Sequence, residues 1–198
     1  MGDFERKSSQ PATVIQSHFL EPLAALQRLL DRYDNRGVII GGIAASLLGQ
    51  PRLTVDLDAV ILLSVQDLPG LIEIAASEGL AIRMPDAEAF ARKNRVLLLQ
   101  HQSSKINIDI SLGVLPFEIE MVERAQGFDL GNLHVRLPTP EDLIIMKAVA
   151  HRSKDLEDIR AITANHPDLD VERIRFWVEK FGQALDMPGL WGEILKFL

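Results

Sequence analysis

The chain has 198 residues, 47% of them hydrophobic and 25% charged, with a formal net charge of −7. That length holds a full core, and the acidic balance excludes a general nucleic-acid coat and nonspecific DNA binding, because Lys and Arg carry phosphate binding. The absence of cysteine excludes a disulfide framework and a thiolate zinc site.

Residues 1–12 are polar and are expected to be disordered. The opening MGDFERKSSQPATV lacks the apolar stretch of a signal peptide. The run AVILL is too short to span a membrane. A cytoplasmic protein without a membrane partner is expected. Phe19, Leu23, Leu26, Leu30 and Tyr33 recur at helical spacing and predict a helix over 14–33. Val38-Ile39-Ile40 predicts a short buried strand, Gly41-Gly42 its turn, and Ile43–Leu48 a short helix. Thr54–Leu63 reads as the next strand and Ser64–Leu80 as a helix. A short strand over Ala81–Met84 and a helix over Asp86–Asn94 follow.

Arg95–Gln102 and Lys105–Leu112 predict a hairpin around Ser103-Ser104, and Pro116–Ala125 a helix. Phe128–Leu130 and Leu133–Leu137 predict a second hairpin around Gly131-Asn132. From Thr139 onward the pattern is helical, with Thr139 as cap, Pro140 at the first helical position and Asp142 completing a capping-box-like start. Helices are expected to about His151, from Ser153 to Asn165, over Val171–Leu185 and after Pro188. The fold class is therefore α+β, a mixed sheet flanked by helices and followed by a C-terminal helical bundle, with a body over 1–138 and a helical subdomain over 139–198.

Residues two apart in a strand point to one face. Asp56 and Asp58 then project together, with Val55, Leu57, Ala59 and Ile61 opposite. In Lys105–Leu112 the same parity puts Asn107, Asp109 and Ser111 on one face. Asp is disfavoured in strands. If these two strands are neighbours, three carboxylates converge, and they stay ionised only around a positive charge. Magnesium is the natural candidate. It takes one or two carboxylates and leaves room for substrate phosphates, and two such ions about 3.5–4 Å apart clamp a phosphoryl transfer. A haloacid-dehalogenase-type phosphatase or a sugar-nucleotide glycosyltransferase puts its DxD after an apolar strand; here the apolar run follows the acids.

Gly41-Gly42, between a strand and a helix start, is the layout of a phosphate cradle, in which free backbone N–H groups face the anion. In His151–Asp158, Asp155 and Asp158 share a helical face. Ser153 would cap that helix and the acids would favour its N-terminus. Alternatively Lys147, Arg152 and Lys154 are countercharges for a triphosphate, with Asp155 holding Lys147 or Lys154 in place. Arg52 either meets a phosphate or pairs with Asp56. His18, His101, His134 and His166 show no ligand spacing, and Trp177 and Trp191 lie on helical stripes.

The stretches GGIAASLLGQPRLTVDLD, KINIDI, PEDLIIMKAVAHRSKDLEDI and HPDLDVERIRFWVEKF, from about residue 36 to 185, resemble the nucleotidyltransferase fold of the DNA polymerase β superfamily. More closely they resemble the minimal nucleotidyltransferases grouped with the bacterial AbiEii toxins. The resemblance implies that Gly41 and Gly42 hold a nucleoside triphosphate and that Asp56, Asp58 and Asp109 bind two magnesium ions. Asp109 would also help activate an attacking hydroxyl. Arg52 and Thr54 flank the acids in the same motif. Lys147, Arg152 and Lys154 would meet the phosphates, with Asp155 and Asp158 closing the motif. The implied activity is transfer of a nucleoside monophosphate to a hydroxyl of a tRNA, a protein or a small molecule. Gly42 stands where well-described members carry Ser, whose hydroxyl binds phosphate. That departure leaves two other readings in view. One is a catalytically silent binding protein or toxin–antitoxin component, with an antitoxin or toxin partner. The other is a different metal-dependent phosphoryl-transfer enzyme.

Overall fold

The structure is a computed structural model that describes residues 15–198. The expectation for residues 1–12 and the expected helix start at residue 14 lie outside the described residues. A 3-10 turn, Ser17–Phe19, leads into α1, Leu20–Asp31, and Phe19, Leu23, Leu26 and Leu30 are all buried on its inner face. The alternating body then runs β1 (Gly37–Ile40), α2 (Gly41–Leu48), β2 (Asp56–Ile61), α3 (Leu68–Ser77), β3 (Leu80–Ile82), α4 (Ala87–Asn94), β4 (Val96–His101) and β5 (Asn107–Leu112). After α5 (Pro116–Arg124) come β6 (Gln126–Leu130) and β7 (Leu133–Leu137). The C-terminal part is helical: α6 (Pro140–Ala150), α7 (Ser153–Asn165), α8 (Val171–Ala184) and α9 (Leu190–Ile194).

The main sheet has five strands in the order β1-β2-β5-β4-β3, and β6 and β7 form a separate two-stranded sheet. β2 and β5 pair in parallel, while β1–β2, β4–β5 and β3–β4 are antiparallel. The fold is thus a mixed sheet flanked by helices, as the alternation of patterns implied. One face carries Leu57, Ala59, Ile61, Ile108, Ile110, Leu97 and Leu99, all essentially fully buried. Each such Leu or Ile contributes about 1.5–3 kcal/mol on burial. The other face carries Asp56, Asp58, Asn107, Asp109 and Gln100, all only partly covered. The polar positions of this face gather around Asp58, whereas Val38 and Val60 farther along β1 and β2 are buried.

Several boundaries differ from the sequence reading, each for a local reason. β5 begins at Asn107 rather than Lys105, because Lys105 takes φ 61° to close the turn from β4. β4 begins after Arg95, whose φ of 57° ends α4. β2 begins at Asp56 rather than Thr54, so Val55 does not share the buried side of Leu57 and is instead 80% exposed. The helix expected over Ser64–Leu80 splits into a 3-10 turn, Val65–Asp67, and α3. Thr139 does cap α6, accepting from the Asp142 backbone N–H at 3.3 Å. The Asp142 side chain, however, turns to Arg124 and Arg173. Ser153 is not the cap of α7: that position is Arg152, whose backbone N–H donates to the Asp155 carboxylate at 3.2 Å. Among the described residues no helix is long and apolar enough to cross a membrane.

Candidate active site

β1 and β2 run antiparallel with Ile40 opposite Asp58. The C-terminal end of β1 therefore arrives beside the acids at the start of β2, and the chain turns there into α2. Gly41 makes that turn with φ +68°, and a Cβ on it would stand 2.0 Å from Asp58 Oδ2. Both the conformation and the close approach require glycine. No side chain caps the N-terminus of α2, so the N–H groups of its first turn are left for an anion at the same place.

β2 and β5 are neighbours in register, with Asp58 opposite Asp109 and Asp56 opposite Asn107. The three aspartates therefore share the half-covered face. Burial pushes the Asp58 carboxyl up to about 6, Asp56 and Asp109 push it the same way, and Lys147 and Arg152 oppose them. Burial also raises the Asp109 carboxyl, against Arg83 and with Asp56. Arg83, which no sequence motif singles out, donates from Nη2 to Asp109 Oδ1 at 2.8 Å. Among the described residues no group of three His, Cys, Asp or Glu side chains is gathered closely enough to hold a metal ion. The expected trio shares a face and Asp109 is engaged by Arg83.

A cleft of about 330 Å³ opens over this floor, lined by Gly41, Gly42, Arg52, Leu53, Thr54, Val55, Asp56, Asp58, Lys147, Arg152 and Lys154. Asp109 is absent from that lining. Every other candidate residue except Asp155 and Asp158 lines it, and those two stand directly behind the wall. There Lys147, nearly buried, lies 3.2 Å from Asp155 Oδ1 and 2.8 Å from Asp158 Oδ2. Arg152 Nε donates to Asp155 Oδ2 at 2.6 Å. Burial alone would raise the Asp155 carboxyl, but hydrogen bonds from Arg152 and Lys147 hold it below its ordinary value. The hydrogen bond to Asp155 likewise raises the Arg152 guanidinium. Both readings for Asp155 are realised: its carboxylate accepts from the N-cap N–H of α7, and it holds Lys147 in place, with Arg152 rather than Lys154 as the second cation. Lys154 is exposed at the mouth.

Arg52 does pair with an acid, but with Asp158 rather than Asp56. Its Nε and Nη2 reach the two Asp158 oxygens at 2.6 and 3.0 Å. This fork ties the loop before β2 to α7, across a sequence separation that no local pattern reveals. Thr54 Oγ1 sits 3.2 Å from the Asp56 backbone oxygen and 3.4 Å from its Oδ1. A Cβ on Gly42 would meet that same hydroxyl at 2.5 Å. Thr54 thus fills the space that a serine side chain in place of Gly42 would need, and sets its own hydroxyl at the cleft.

The donor set fits a hard divalent cation. Asp56 and Asp58 offer carboxylate oxygens into the cleft and make no ion pair among the described residues. Two carboxylates completed by substrate phosphates is how magnesium is commonly held. The opposite wall supplies the positive charge that a polyphosphate needs.

The comparisons with known proteins bear on the fold and the family. No curated protein matches the chain. Among solved structures, the chain is similar to an antigenic nucleotidyltransferase-like protein from Paracoccidioides brasiliensis, at 16% identity over 93% of each chain, with a TM-score of 0.53. That likeness is one of fold. The family described as "Nucleotidyltransferase of unknown function (DUF6036)" matches residues 18–180, and the chain belongs to that family.

Proposed function

We propose that the protein is a magnesium-dependent nucleotidyltransferase of the AbiEii-like type, moving a nucleoside monophosphate from a nucleoside triphosphate to a hydroxyl of its acceptor. The observation that carries the reading is the division of charge in the cleft. Asp56 and Asp58 lie unbalanced on the floor, and Lys147, Arg152 and Lys154 stand on the wall. Gly41 makes the turn from β1 into α2, whose first turn includes Gly42. A triphosphate carrying a divalent cation satisfies both sides at once.

The α2 N-terminus receives phosphate oxygens through backbone N–H groups. The Thr54 hydroxyl lies beside them and fixes Asp56 by donating to its oxygens. Lys147 and Arg152, held by Asp155 and Asp158, keep the β- and γ-phosphates aligned. Asp56 and Asp58 would hold a magnesium ion, which would supply positive charge against the negative charge of the phosphates. The acceptor oxygen forms a bond to the α-phosphorus, and the bond from that phosphorus to the bridging oxygen breaks. Pyrophosphate leaves with the bonding pair, and the hydroxyl proton passes to water. Asp109 orients that hydroxyl by accepting its hydrogen bond. Catalysis rests on positioning and charge rather than on a covalent intermediate.

Transfer from α-labelled nucleoside triphosphates to cellular RNA, protein and small-molecule fractions tests the reading. Asp56→Ala should lose label incorporation while keeping the native circular dichroism spectrum and melting cooperatively. An Asp56→Ala protein that transfers label as fast as the parent overturns the assignment.

A further inference from the structure

The site contains a cation of its own. The register of the sheet sets one row of residues across β1, β2, β5 and β4. Ile40 lies opposite Asp58, Asp58 opposite Asp109, and Asp109 opposite Leu98. The row continues past the end of β3, where the Arg83 backbone N–H donates to the Leu98 oxygen at 3.0 Å. In-register side chains point to the same face. Arg83 therefore starts two strands away from Asp109, crosses above Leu98 and places Nη2 on Asp109 Oδ1 at 2.8 Å. Both side chains remain partly open, at 27% and 34% exposure.

Position along the row decides what this pair does. The cationic wall of Lys147 and Arg152 meets the acids at the β1–β2 end, where Asp58 lines the cleft. Arg83 meets them from the opposite side, beyond β5 and β4. Asp56 and Asp58 open into the cleft, whereas Asp109 is taken up by Arg83. The three acids accordingly do not form a three-carboxylate group able to hold a metal ion. A guanidinium keeps its charge at every working pH, and this one is anchored at its backbone by the sheet ladder.

We propose, resting on the nucleotidyltransferase reading, that Arg83 stands in the place of a second metal ion. Its guanidinium balances Asp109 on the acceptor side, and Asp56 and Asp58 take a single divalent cation with the nucleotide. The consequence is a site with one exchangeable ion and one built-in positive charge. The built-in charge orients Asp109 toward an acceptor hydroxyl and leaves its carboxyl partly open.

Counting bound Mn2+ by the loss of its free electron paramagnetic resonance signal tests this directly. The titration is made on the full chain saturated with a non-hydrolysable ATP analogue. The parent should bind one Mn2+ per nucleotide complex. Arg83→Met keeps the aliphatic stem over Leu98 but frees Asp109, and should bind two. Arg83→Lys restores a charge and should return to one. Two ions on the parent, or one on Arg83→Met, overturn this inference and leave the nucleotidyltransferase reading standing. If the parent takes up neither the analogue nor Mn2+, the nucleotidyltransferase reading falls and this inference with it.

Discussion

Two charged clusters lie at opposite ends of α6, and they are built differently. Near its N-terminus, Asp142 is fully buried between Arg173 Nε at 2.8 Å and Arg124 Nε at 3.3 Å. Glu120 closes the group, accepting from Arg173 Nη1 at 2.8 Å and from Trp177 Nε1 at 3.3 Å. Two acids meet two cations, and the cluster staples α5, α6 and α8 together. Near the C-terminus of α6, Lys147 reaches the cleft, where charge is sorted by position. Cations are held on one wall, and Asp56 and Asp58 are left without a protein cation on the floor. Buried acids are thus paired at both ends of α6, and it is the half-covered Asp56 and Asp58 beside the second cluster that, on the proposed function, are left for a ligand.

The largest expected effect breaks the Asp142 cluster. Asp142→Ala strands Arg173 and Arg124 without their shared acid and should cost about 3–5 kcal/mol in urea unfolding. Thermal stabilisation by magnesium and nucleotide should survive in the fraction still folded, since this cluster does not line the cleft. A loss under about 1 kcal/mol would mean that the two clusters do not differ as described.

Next in size is Gly42→Ser. The new Cβ would come within 2.5 Å of Thr54 Oγ1 and 2.9 Å of Thr54 Cβ. Overpacking of this kind costs about 1–3 kcal/mol. Nucleotide affinity, measured by thermal shift, should fall with it. Adding Thr54→Ala to the same chain removes the contact with Oγ1 but not the one with Cβ, and should recover part of both losses.

Asp58→Asn sharpens the comparison through pH. The Asp58 carboxyl titrates near 6 in the folded chain, above its ordinary value of 3.8. A group raised in this way opposes folding once it ionises. The penalty is absent below about pH 4, grows as pH rises towards 6 and is complete by pH 8. Asp58→Asn should therefore stabilise the metal-free protein by about 1–2 kcal/mol at pH 8, discounted for solvent screening, and leave it unchanged near pH 4. Urea midpoints at the two pH values check the sign. The smallest effect is that of Lys154→Ala. That side chain is exposed at the mouth, so stability should move by less than about 0.5 kcal/mol. Nucleotide affinity should weaken by about two- to fivefold, with the effect fading as salt is raised.

The same contrast explains what is visible from sequence. The face shared by Asp56, Asp58 and Asp109 is legible because strand alternation is a local property, and the neighbouring of β2 and β5 completes it. The turn at Gly41-Gly42 is legible for the same reason. Val55 is misplaced by alternation because its strand begins at Asp56, and alternation does not mark where pairing starts. Arg83 is invisible because it reaches Asp109 only through the stacking order of β3, β4 and β5, which no short motif encodes. The partner of Arg52 is hidden in the same way. Asp158 lies on α7, and nothing in either stretch says that the loop before β2 packs against it. Asp142 reads as part of a cap, since Thr139-Pro140-Glu141-Asp142 satisfies that pattern, and long-range burial assigns its carboxylate elsewhere.

The central claim is that Asp56 and Asp58 are an acid pair awaiting a cation and its nucleotide. Calorimetric titration of a non-hydrolysable ATP analogue, with and without magnesium, into the parent and into Asp56→Asn/Asp58→Asn tests it most directly. The parent should bind about tenfold or more tightly with magnesium. The double variant should lose that dependence and bind the magnesium-free analogue more tightly than the parent does. Equal affinity with and without magnesium in the parent would contradict the account.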